Sequence, residues 1–152
     1  MAVIESSVHI DRPLETVFDY AVDMTNELAW NPGVESMQKV TPGPVRLGTR
    51  YKAKWRQSGH IDVECTGFER PTAWTYHNGG PVVVDLSIRL TPEGGGTRLV
   101  ARFEAHPRGL FRVLFPVFLP VMRKQEKANM ANLKRAIEAL PAAGKPLQLA
   151  QG

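Results

Sequence analysis

A chain of 152 residues, 43% hydrophobic and 22% charged, has the size of one domain that buries about 70% of its unfolded surface, and its composition excludes a disordered or fibrous class. The formal net charge of +4 raises nucleic acid as a partner, but the interleaved basic and aromatic residues such a surface needs occur in only one short run, so none is expected. Cys65 is the only cysteine, which rules out an internal disulfide, a CxxC redox pair and a cysteine-built zinc cage, and fits a reducing cytoplasm.

Met1 to Ser7 has neither a basic start nor an apolar stretch of signal-peptide length, so export is not expected. From Ile4 to Ile10, apolar and polar residues alternate with the period of a half-buried strand. Asp11 then reads as the cap of a short helix, with Pro13 and Glu15 in its first turn and Leu14, Val17, Phe18 and Ala21 as its apolar stripe. A second helical piece, Thr25 to Ala29, stops at Trp30-Asn31-Pro32-Gly33, where proline and glycine prevent continuation.

Six further strands are predicted at Val34 to Val40, Thr49 to Gln57, Ile61 to Glu69, Ala73 to His77, Val82 to Thr91 and Thr97 to His106, bounded by Gly, Pro or Asn. Their short connections predict an antiparallel meander. In the run from Thr49, Arg50, Lys52, Lys54 and Arg56 share one face and Tyr51, Ala53 and Trp55 the other; the basic face reads as solvated or as an anion-binding stripe. The glycine-rich Pro92 to Gly96 joins two strands and lacks the lysine and helix start of a phosphate-binding loop, so it is a hairpin turn.

A long helix is predicted from about Phe115 to Leu140, preceded by an apolar approach from Phe111 to Met122 that Pro116 and Pro120 should kink or separate. This approach is either a lid beside a cavity mouth or a packed helix start. The most apolar stretch, Val113 to Met122, is far shorter than the ~20 residues a membrane span needs. Pro141 to Gly152 offers little to bury and reads as a flexible tail after a single domain spanning residues 1–140.

These elements define an α+β class: a seven-stranded antiparallel sheet curved around a long C-terminal helix, with two short helices between strands 1 and 2. A lone helix can bury its stripe only on the concave face of the sheet, and that arrangement tends to leave a cavity. On the helix, Met122, Met130, Leu133, Ile137 and Leu140 fall in one stripe, and Glu126 falls near its centre. A carboxyl there either finds an inward partner, sits at a wet mouth, or takes up a proton and serves as a general acid or base.

Trp55, Trp74, Tyr76 and Phe103 occupy the interior faces of their strands, with Tyr51 beside Trp55, either as core or as cavity lining. The Tyr76 and Tyr51 hydroxyls are candidates to orient a carbonyl or phenol. Phe115, Phe118, Leu119 and Met122 complete the candidate ligand-binding set, and Glu126, Tyr76 and Tyr51 the candidate catalytic set. His9, His60, His77 and His106 are scattered without metal-ligand spacing, so neither a metal nor another cofactor is called for. His9 and His106 should face solvent, while His60 and His77, at strand ends, remain open as acid/base groups.

The motifs Asp11-Arg12-Pro13-Leu14-Glu15-Thr16-Val17-Phe18, Trp30-Asn31-Pro32-Gly33-Val34, Leu47-Gly48-Thr49, Phe68-Glu69-Arg70-Pro71, Gly95-Gly96-Thr97-Arg98-Leu99 and Leu133-Lys134 with Glu138 resemble the SRPBCC superfamily. These are the START-like, helix-grip proteins, and the resemblance is to their polyketide cyclase/dehydrase branch over about Val3 to Leu140. It implies a curved sheet gripping a helix around an apolar ligand cavity. The expected role is binding of a hydrophobic or aromatic, polyketide-like or lipid-like molecule. A cofactor-independent cyclase or dehydratase of lyase or isomerase type, moving a proton through Glu126 or a tyrosine, is the alternative. A protein-interaction module using the basic face is a third reading. Oligomeric state is open.

Overall fold

The computed structural model describes residues 2–56, 59–80 and 82–141. In chain order the elements are β1 (Ala2–Ile10), α1 (Leu14–Ala21), a 3-10 turn (Met24–Asn26), α2 (Glu27–Trp30), β2 (Val34–Lys39), β3 (Arg50–Trp55), β4 (Gly59–Glu69), β5 (Ala73–Asn78), β6 (Val82–Glu93), β7 (Gly96–Pro107) and α3 (Leu110–Glu138). They build the helix-grip architecture: one seven-stranded sheet ordered β1-β7-β6-β5-β4-β3-β2, antiparallel throughout, with α3 against its concave face. The tail expected beyond Pro141 lies outside the described residues.

Alternation sets the faces. Along β6 and β7, Ile88, Leu90, Leu99 and Ala101 are buried on the concave side, whereas Arg89 and Arg102 point outward, and Arg102 pairs with Glu5 across the β1 register at 3.2 Å. The turn between them is tighter than the five-residue hairpin expected: Glu93 pairs with Gly96, and only Gly94 and Gly95 intervene, both at positive φ (53° and 82°), as a two-residue turn matched to strand twist demands. At the other sheet edge, Arg50 lies 3.6 Å from Glu64 and Lys54 3.3 Å from Glu35, so the basic stripe of β3 is partly neutralised across its neighbours.

The end of the sheet under α1 is filled by aromatics. Phe18 meets Trp74 edge-on with ring centroids 5.1 Å apart and Phe68 likewise at 5.4 Å. A bulge between Cys65 and Gly67 lets β4 bend here. A side chain at Gly67 would put its Cβ 2.5 Å from Thr75 Oγ1, so it would force the Thr75 side chain to move.

Two expectations are corrected. Asp11 does not cap α1: that helix starts at Leu14 with no side-chain cap, three residues beyond Asp11 and out of its reach, and the Asp11 backbone N–H instead donates to Glu138 Oε2 at 2.8 Å. Pro116 and Pro120 do not delimit the long helix, which begins five residues earlier than expected and runs through both. Both prolines are exposed, so the carbonyls of Arg112 and Pro116 that they leave unbonded are on the solvent side, where water replaces the lost bonds.

The C-terminal end of α3 is fastened to the β1–α1 junction. Lys134 Nζ donates to the His9 carbonyl and to Glu138 Oε2, both at 2.7 Å, the Arg12 guanidinium donates to the Glu138 carbonyl, and Thr97 Oγ1 donates to the Arg12 carbonyl at 2.8 Å. This clamp and the buried Met130, Leu133 and Ile137 seat α3 on the sheet.

Candidate functional site

Past Met130 toward its N-terminus, α3 lifts from the sheet and a cavity of about 410 Å³ opens beneath it. Its sheet wall is Ile4 of β1, Phe103 of β7 and Trp55 of β3; its helix wall is Met122, Glu126 and Asn129; its end is the Asn31–Gly33 turn. The turn has that shape because Asn31 Oδ1 accepts the Gly33 N–H at 3.0 Å, directing the chain from α2 into β2. A shallower depression outside α2, between Leu28–Pro32 and Arg135, has no sheet wall and is open to solvent.

Of the expected ligand-binding residues, Trp55, Phe103, Met122 and Glu126 come together at this cavity. Trp74, Tyr76 and Phe115 are buried elsewhere, Leu119 is half-buried, and Phe118 is 50% exposed, at the edge of the α3 stripe that carries Phe115 and Met122 and turned about 40–60° away from them.

The tyrosines sit beneath the 3-10 turn rather than along this cavity. Tyr76 Oη is 2.6 Å from the Val22 carbonyl and 3.2 Å from Tyr51 Oη. Each hydroxyl has one proton, so Tyr76 donates to the carbonyl and Tyr51 donates to Tyr76. Burial raises the ionisation of both, Tyr51 to about 12. At neutral pH they are neutral, and their protons are committed to holding the β3–β5 face against the chain at Val22.

Glu126 is different. It faces the apolar wall, and no hydrogen bond or ion pair to it is formed among the described residues; burial pushes its carboxyl above the usual range. Sequence reasoning missed its neighbour Glu27, in the first turn of α2. The Glu27 carboxylate accepts from Asn31 Nδ2 at 3.0 Å, which favours the charged form, but burial outweighs this and the charge of Glu126 adds to it, raising Glu27 to about 7. The two carboxyls, on α2 and α3, thus sense one another's charge, and neither forms an ion pair among the described residues, an arrangement that disfavours ionisation of both. The rim carries one nearby cation, Arg56, whose guanidinium donates to the Pro32 carbonyl at 3.3 Å.

The histidines lie on other surfaces. His9 Nδ1 is 2.9 Å from Glu93 and His77 Nδ1 2.7 Å from Asp85, both across the convex face. Among the described residues no three His, Cys, Asp or Glu side chains converge as metal ligands, and no helix is long and apolar enough to cross a membrane.

The sequence profile of a family described as polyketide cyclase/dehydrase and lipid transport matches residues 1–138. No curated protein matches the chain. Among solved structures, TTHA0849 from Thermus thermophilus is similar at TM-score 0.76 and 18% identity, over 91% of this chain and 98% of that one. The Zhui aromatase/cyclase from Streptomyces sp. R1128 is similar at TM-score 0.76 and 14% identity, over 95% and 99%. BexL, a di-domain aromatase/cyclase from the BE-7585A biosynthetic pathway, matches at TM-score 0.72 and 15% identity, over 92% of this chain and 51% of its own. At these identities the likeness is one of fold.

Proposed function

The chain belongs to the polyketide cyclase/dehydrase and lipid transport family, and from that premise we propose that it binds a hydrophobic or aromatic small molecule, polyketide-like or lipid-like, in the cavity between α3 and the sheet. The observation that carries this reading is the cavity of about 410 Å³ itself, walled on one side by Ile4, Trp55, Phe103 and Met122 and edged by polar side chains that include Glu126, Asn129 and Arg56. That size lies in the range of small-molecule sites, and the apolar wall gives affinity by burial while the polar groups give orientation by hydrogen bonding. A protonated Glu126 donates to a ligand carbonyl or phenol oxygen without the cost of a buried charge. The single cysteine suits a reducing cytoplasm as the place of action.

Native mass spectrometry of the freshly purified protein, followed by denaturing extraction, tests the reading. A stoichiometric apolar compound is the expected result. An empty protein that also fails to bind an apolar fluorescent probe would end it.

The carboxyl pair favours a second reading, a cyclase or dehydratase without cofactor. A general acid and base work best with ionisation near the working pH, and Glu27 at about 7 meets that condition while Glu126 faces the cavity. In that chemistry one carboxylate removes a proton alpha to a ligand carbonyl and the neutral partner donates to the oxygen, while the cavity holds the chain folded. A carrier retains its affinity when Glu126→Gln is made. An enzyme retains ligand binding in that variant and loses turnover by about 100-fold or more.

A further inference from the structure

The N-terminal half of α3 carries a wider apolar surface than the sheet covers. Phe115 and Met122 turn toward the sheet and cavity. Leu110, Phe111, Val113, Leu114, Val117, Phe118 and Val121 are all exposed, and at 3.6 residues per turn they fall within one arc of about 160° that begins beside Phe115 and Met122 and turns away from the sheet. Leu110, Val113 and Val117 are 70%, 73% and 72% exposed. Scattered apolar side chains are ordinary on a surface, but a continuous face of large ones marks a docking site.

Its charge identifies the occupant. From Ala105 to Gln125 the chain has no Asp or Glu; Lys124 falls within the arc of the apolar face and Arg108 lies just before its N-terminal end, both exposed, while Arg112 and Arg123 are on the far side of the helix. The ion pairs of the described residues lie elsewhere, on the convex face of the sheet and at the far end of α3. A second copy docked through the same face in a two-fold pair would bring Arg108 and Lys124 toward their own equivalents with no acid to separate them. An anionic surface would neutralise them.

We propose that the outward face of Leu110–Val121 docks on an anionic lipid surface, its apolar side chains entering the boundary between headgroups and acyl chains and its cations meeting the headgroups. Apolar burial and headgroup attraction together give a helix lying in the interface, and neither alone suffices for stable attachment. The segment is too short to cross a bilayer, and its exposed prolines hold its unbonded carbonyls at water depth. Docking here does not depend on what the cavity holds.

The test is co-sedimentation of the full chain with phosphatidylcholine vesicles, with and without phosphatidylglycerol, at low and high salt. Binding is expected only with phosphatidylglycerol and should weaken with salt. It should fall about tenfold or more in Val113→Asp/Val117→Asp and in Arg108→Glu/Lys124→Glu, with melting temperatures unchanged at these exposed positions. If the aspartates lower the melting temperature, the charge-reversal pair, which leaves the apolar side chains intact, decides. Absence of binding, equal binding to neutral vesicles, or variants that bind like the parent overturn the proposal. So does a concentration-dependent dimer in analytical ultracentrifugation that Val113→Asp/Val117→Asp dissociates, which would give the face to a second copy.

Discussion

From Met130 to Glu138, α3 buries Met130, Leu133 and Ile137 and ends in a polar clamp on β1; from Leu110 to Val121 it buries Phe115 and leaves seven large apolar side chains in water. The same 29-residue helix is therefore packed and clamped at one end and exposed at the other, with Glu126 at the transition. The residues that seat the helix are not those proposed to meet a ligand or a lipid surface. Four expected outcomes would break or sharpen that separation.

The largest effect belongs to the seated half. Leu133→Ala removes a side chain 2% exposed and should cost about 2–5 kcal/mol in denaturant unfolding, whereas Val117→Ala, 72% exposed, should change stability by less than about 0.5 kcal/mol. Comparable losses from the two would refute the separation.

Next comes the carboxyl pair. A carboxyl whose folded ionisation is raised contributes fully below its unfolded value and loses that contribution as pH rises through the folded one. For Glu27 the loss therefore falls between about 4.5 and about 7. Glu27→Gln, which keeps an acceptor for Asn31, should be more stable than the parent by about 1–2 kcal/mol at pH 8 and equal to it at pH 4. Glu126→Gln should behave in the same direction. A variant less stable at high pH would reveal a cation paired with the carboxylate.

Glu138 reverses the sign. Lys134 and the Asp11 N–H hold its carboxyl below the usual range, so its contribution is present above the unfolded value and is lost as pH falls through the folded one. Glu138→Gln should cost about 1 kcal/mol at pH 7, the pair being partly exposed, and progressively less in acid; thermal melts at both pH values measure it. Last, amide hydrogen exchange should protect Met130–Ile137 well above Val113–Val121, since exposed backbone bonds without packing open locally. Ligand or vesicle binding should narrow that difference.

What the chain revealed in advance follows the range of each signal. Alternation is local and repeated, so β6 and β7 could be read from Val82–Leu90 and Leu99–Ala105, and the stripe through Leu133 and Ile137 likewise identified the seated part of α3. Asp11 carried a cap signal, but α1 begins only at Leu14, while a glutamate 127 residues away accepts the Asp11 backbone N–H, a long-range contact no local pattern contains. The prolines carried a break signal that fails where the freed carbonyls reach water. Glu126 was conspicuous because it interrupts a long stripe. Glu27 was not, because a four-residue helix has no period against which one acidic side chain stands out, and its neighbour Glu126 is remote in sequence. The tyrosines were placed on the correct face, but their hydroxyl partners depend on where the 3-10 turn crosses the sheet.

The pairing of β1 with β7 joins Ala2 to Ala105 and Ile10 to Thr97, so the strand made first completes the sheet only after nearly all the others exist. Contacts of such sequence separation slow folding, because the loop they close must be ordered before they repay its entropy. Ile4 and Phe103, which face each other in that pairing, are also two walls of the cavity. The cavity is thus a late product of folding. Until β1 docks, β7 is an open edge and α3 has no seat at Ile4 or His9, so the half-built protein presents both an unpaired strand and an apolar helix to its surroundings.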